Sequence, residues 1–180
     1  MNNRAAPAAS KDQAAPLKTV RTSAGTTEAE KKVALGRLYS NALLETRDAL
    51  AKQNFELALR RCESAEDIDV TAETRALRKE ISDRKACRDY LHRGNEAMIS
   101  KDYAEATTAY EAAAKLNPIN DIEEKWRLAR AYLKLEEAHK ALDEGHLETA
   151  GQLAETSLWL HKTEEAESFR KGIPTSNRSK

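Results

Sequence analysis

Three stretches of this chain carry alanine at matching places, and few folds accept such a pattern. Ala49, Ala97 and Ala141 form one set, and Ala58, Ala106 and Ala150 form a second. In each stretch the two alanines flank a polar break: Gln53-Asn54, Lys101-Asp102 or Gly145-His146. A small side chain lets a neighbouring backbone approach closely, while larger residues fill the hollows beside it. The pattern predicts helices packed in antiparallel pairs across two-residue turns, each pair a long helix followed by a short one.

The surrounding composition agrees. Charged residues make up 33% of the chain and aromatics only 5%, with 6 Gly and 4 Pro, and no β-branched runs suggest strands. Thr27 with Glu30 reads as a capping box opening a helix from Glu28 to about Lys52. Asn54 caps a shorter helix from Phe55 to about Ala65, and Thr71 opens a long one reaching Ser100. Asp102 with Glu105 predicts another box, before a helix ending at Leu116, where Asn117-Pro118 stops it. Asn120 with Glu123 predicts a third box, for a helix to about Glu144. A helix from Leu147 to about Leu160 follows. Thr163 caps a last one, halted by Gly172-Ile173-Pro174. The expected fold is all-α, with about seven helices.

Residues Cys87 to Pro118 resemble one tetratricopeptide repeat (TPR). Tyr90, Gly94, Ala97, Tyr103, Ala106, Tyr110, Ala113 and Pro118 fall at that family's spacings, most clearly in DYAEATTAYEAAAKLNP. Two weaker copies flank it. Thr46, Ala49, Phe55, Ala58, Cys62 and Ala65 stand at equivalent positions in the first; Ala138, Ala141, Leu147, Ala150, Ala154 and Ser157 do so in the third. The copies are 48 and 44 residues apart, against a family period of about 34. The extra residues lie around 71–84 and 119–128 and are expected to lengthen the first helix of the second and third pairs. The resemblance implies a TPR-like α-solenoid of stacked hairpins over residues 28–172, with Ala49, Ala58, Gly94, Ala97, Tyr103, Ala106, Tyr110, Ala113, Pro118, Ala138, Ala141 and Ala150 as packing positions.

It also implies a function. Members of the family contact ligands through the inner face of each pair's first helix. Here those positions are Leu43 and Arg47, Leu91 and Asn95, and Leu135 and His139, with His92, Met98 and Leu142 nearby. Three leucines in register would form an apolar stripe with a polar edge, suited to a peptide or amphipathic helix of another protein. The Lys–Asn–Arg clamp by which some members grip acidic tails is missing: Leu43, Arg47, His92, Tyr132 and Glu136 stand there instead. The expectation is a non-catalytic adaptor or small chaperone; the alternative is a structural or assembly subunit buried within a larger complex.

No P-loop, dinucleotide fingerprint, nucleophile elbow or zinc motif occurs, and no cofactor or metal is expected. Glu136, His139 and Asp143 share one helix face, read as a polar lip of the groove. Trp126 and Trp159 read as core or inter-repeat packing. Cys62 and Cys87 have no zinc or disulfide spacing and read as buried thiols.

The net charge is zero, but residues 1–27 carry +3 and the C-terminal end is basic too. Residues 1–27 are poor in large apolar side chains and read as a disordered tail, and residues 173–180 as a basic tail. No specific nucleic-acid partner and no membrane span are expected; self-association is allowed. The expected compartment is the cytoplasm, or an organelle matrix if residues 1–27 are a transit peptide.

Overall fold

A computed structural model describes residues 27–173. Among these it contains seven helices and no strand: α1 (Glu28–Ala51), α2 (Phe55–Glu66), α3 (Ala72–Ser100), α4 (Tyr103–Leu116), α5 (Asn120–Asp143), α6 (Leu147–Leu160) and α7 (Glu164–Gly172). The described part of the chain is all-helical, as its composition favours. Apart from Thr27 and Ile173, the two expected tails lie outside the described residues.

The helix starts follow the capping residues, with two exceptions. Thr27 and Glu30 form the full reciprocal box. The side chains of Asn54, Asp102 and Thr163 accept the N–H groups of Leu57, Glu105 and Ala166 at 3.1, 3.0 and 3.2 Å. Glu105 does not reach back to close the expected box with Asp102, whose N–H is already donated to Ala97 O at 2.9 Å. It pairs with Arg93 instead. Nor does Asn120 cap α5: Ile119, extended behind Pro118, is the capping residue, and Asn120 is the first helical one. A box that the sequence did not suggest joins Thr71 and Thr74. Threonine, in place of the usual Glu or Gln, makes the return bond at 3.1 Å.

All three hairpin turns are built alike. Gln53, Lys101 and Gly145 open them with φ of 57°, 63° and 80°, the left-handed region. The next residue of each turn donates its N–H to Ala49 O (2.9 Å), Ala97 O (2.9 Å) or Ala141 O (2.8 Å). This bond closes the end of a helix by satisfying a carbonyl left over in its last turn.

Packing explains the long period. α1 packs on α2, α3 on α4 and α5 on α6; α2 also packs on α3, α4 on α5 and α6 on α7. The second half of α3 meets its own partner α4, through Gly94 and Ala97 against Ala106 and Tyr110. Its first half lies on the preceding short helix. There Leu77 and Ile81 join Ala58, Cys62 and Ala65 in one buried cluster, and Arg78 grips Glu66 with both ends of its guanidinium. α5 repeats the arrangement: Ile122 meets Cys87 and Ala113, Ala129 meets Ala106 and Tyr110, and further on Ala138 and Ala141 meet Ala150 and Ala154. A 29-residue α3 is long enough to serve two short helices. α1 has no short helix before it among the described residues, and Val33 in its first half is 55% exposed.

All six alanines of the two sets are buried. Volumes also balance across each hairpin. In the middle pair Gly94 faces Tyr110. The residues at the equivalent spacings, Thr46 and Cys62 in the first pair and Ala138 and Ala154 in the third, are middling or small and are buried too. Two expected packing positions, Pro118 and Trp159, and one residue of the repeat spacing, Tyr90, lie at the surface. Pro118 is exposed and only marks the end of α4. Tyr90 is exposed because Cys87 and Leu91, on the adjoining face, make the contact with α4. Trp159 is 84% exposed, on the face of α6 turned away from α5.

Candidate functional site

A cleft of about 640 Å³ opens where the end of α3, the start of α4, the middle of α5 and the start of α7 converge. The two-residue turn after α3 sets its floor, because left-handed Lys101 swings the chain so that Tyr103 returns beside Met98 and Ile99. Opposite stand Tyr132, Leu135, Glu136 and His139, successive residues along one face of α5. Glu165 closes the rim from α7.

The walls are mainly apolar and aromatic. Tyr103 and Tyr132 stack across the α4–α5 contact, their ring centres 5.1 Å apart and their planes within 16°. Burial, then the negative charge of Glu165, then neighbouring Tyr103 hold the Tyr132 phenol above its ordinary pKa. The imidazole of His139 lies 4.1 Å from the Phe169 ring of α7. Ile99 is 84% exposed at the mouth. Lys101, Glu136 and Glu165 take part in none of the ion pairs among the described residues, although most charges along the helices do.

The cleft brings together part of the expected groove. Met98, Leu135 and His139 line it. The leucine stripe is not open surface, however. Leu43 and Leu135 are each only 6% exposed, and Leu91 packs between two buried clusters. Leu77 and Ile81 of α3 join the cluster that buries Leu43, Ile122 and Trp126 of α5 flank Leu91, and Leu135 lies beside Met98 and Tyr103. The polar edge is also engaged. The Arg47 guanidinium lies 2.5 Å from Glu73 on α3, and Asn95 accepts the Tyr110 hydroxyl at 2.8 Å. His92 faces Glu96 at 3.2 Å, outside the cleft, and Leu142 belongs to the α5–α6–α7 cluster.

Sequence reasoning missed Ile99, Lys101 and Glu165 as cleft residues. Ile99 carried a signal, since a large aliphatic residue two positions before a helix stop, off the buried stripe, has no core to enter. Glu165 carried none, because its place depends on how α7 folds back.

No group of three or more His, Cys, Asp or Glu side chains capable of holding a metal occurs among the described residues. Glu136 and His139 share the cleft, but Asp143 is not part of it. Burial pushes the Cys62 and Cys87 thiols up, and each donates weakly to a backbone carbonyl, Thr74 O and Ala113 O. Both are buried thiols, as expected. No described helix is long and apolar enough to cross a membrane. A scan of protein-family models, a search of curated proteins and a search of solved structures each returned no match for the chain.

Proposed function

We propose that the chain is a non-catalytic protein-interaction module, a TPR-like α-solenoid that holds a segment of a partner protein in the cleft between α3, α4, α5 and α7. The repeated turns, the buried alanine sets and the stepwise packing of each helix on the next support the solenoid reading. One observation carries the function: an open concavity with a stacked tyrosine pair, a protruding Ile99 and three charges without ion-pair partners among the described residues. Aromatic and aliphatic anchors ringed by polar groups suit a peptide or amphipathic helix better than a small polar substrate. An adaptor or small chaperone would use the cleft in this way. The test is affinity capture with the full chain, followed by identification of bound proteins, in parallel with Ile99→Asp. Ile99 lies outside the core, so the variant keeps its melting temperature while its affinity for the captured partner falls at least about tenfold. Equal binding by both proteins would remove the cleft from the reading.

A second reading, a structural subunit of a larger assembly, draws on Trp159. An indole 84% exposed on α6, away from the cleft, is a further apolar contact point that cleft binding does not use.

A further inference from the structure

The first half of α1 occupies a known place in this architecture with nothing packed on it among the described residues. At the 48-residue spacing that separates Ala58 from Ala106, Ala29 and Val33 stand where Leu77 and Ile81 stand in α3. Leu77 and Ile81 are buried against α2, whereas Ala29 and Val33 are exposed. They line a shallow surface groove with Glu30, Ala34 and Arg37.

The α2–α3 contact shows what such a face accepts. α2 runs antiparallel to α3, with Glu56 near its start paired to Lys85 and Glu66 at its end paired to Arg78. At the same spacing Arg37 stands in the place of Lys85, and Glu30 in the place of Arg78. The face on α1 therefore asks for an antiparallel helix with an acid towards its start and a base towards its end. α1 itself meets that description. A two-fold axis between Val33 and Ala34 sets Glu30 against Arg37 of the second copy and Val33 against its Ala34, so that both charges are answered and a larger residue meets a smaller one. Arg37 takes part in no ion pair among the described residues, and Glu30 carries a carboxylate held below its usual pKa by its bonds to Thr27.

We infer that the first turns of α1 form a homodimer seam, with a second copy of this chain in the place a preceding short helix would fill. The contact is isologous and closes on itself, so it ends at two copies. It covers about three turns of helix, so the association is weak and reversible.

The test is sedimentation equilibrium of the full chain from low micromolar to submillimolar concentration, with circular dichroism to follow folding. The wild type is expected to show a monomer–dimer equilibrium. Arg37→Glu places four carboxylates at the seam and weakens dimerisation about tenfold or more. The double variant Glu30→Gln with Arg37→Glu keeps a side chain able to close the box at Thr27, removes two of the four carboxylates from the seam, and regains part of the lost affinity. Val33→Asp abolishes dimerisation without loss of helix signal. A wild type that stays monomeric throughout, or a double variant no better than Arg37→Glu alone, overturns the proposal. A chain lacking residues 1–26 that dimerises where the full chain does not also overturns it, and would identify those residues as the occupant of the face.

Discussion

The ring of Tyr110 lies where a side chain on Gly94 would have to be. A methyl group at Gly94 would sit 2.5 Å from Tyr110 Cε1 and 2.7 Å from Cδ1. The ring has little freedom to retreat, since Tyr110 is buried and its hydroxyl is tied to Asn95. Gly94→Ala is therefore expected to destabilise the fold by about 1–3 kcal/mol, in spite of the better helix propensity of alanine. Urea unfolding measures this. In a Tyr110→Ala background the same change should cost far less, and equal costs in both backgrounds would mean that the two residues do not interact.

Lys101 and Gly145 hold the same left-handed turn position with different side chains. Glycine reaches that conformation without strain and lysine does not. Lys101→Gly should thus stabilise the protein by about 0.5–1 kcal/mol, and Gly145→Ala should destabilise it by a similar amount. Paired thermal melts decide the point. A loss of stability in Lys101→Gly would show that the lysine side chain contributes more than its backbone strain costs.

Two phenols report on burial through alkaline titration. Burial raises the Tyr110 pKa, and burial with Glu165 raises that of Tyr132. A free tyrosine ionises near pH 10, so between there and the raised values the unfolded chain releases protons that the folded chain keeps. The stability tied to these groups is fully present below about pH 10 and is lost as the pH rises beyond it. Near-ultraviolet phenolate absorbance should show a late-ionising class that joins the rest on unfolding. Tyr132→Phe should shrink that class, and a late-ionising class unchanged by the substitution would place Tyr132 in ordinary solvent.

Much of the scaffold was legible because it rests on local chemistry. Polar two-residue breaks and capping side chains placed six of the seven helix starts to the residue, and the alanine sets located the buried faces. The lapses were also physical. Asn120 was displaced as a cap because the chain leaving Pro118 already extends Ile119 into that position. Glu105 was drawn off by Arg93 once the turn had used the Asp102 N–H. The cleft was less legible than the scaffold. The resemblance indicates a face of each long helix, but here the leading turns of α3 and α5 cover Leu43 and Leu91, and Leu135 is buried beside Met98 and Tyr103. What stays open is decided by the fold-back of α7, a nine-residue helix whose tertiary place no local signal encodes.

Because α3 and α5 each lean on two short helices, no hairpin of this molecule can melt by itself. Loosening α2 strips Leu77 and Ile81 of their cover and leaves the leading half of α3 as a bare rod, while its trailing half is still held by α4. A lone helix of that length is barely stable in water, so the damage spreads along the shared rod into the neighbouring pair. Joinery of this kind, with two of the three long timbers each spanning two joints, favours a single collective collapse over piecemeal fraying.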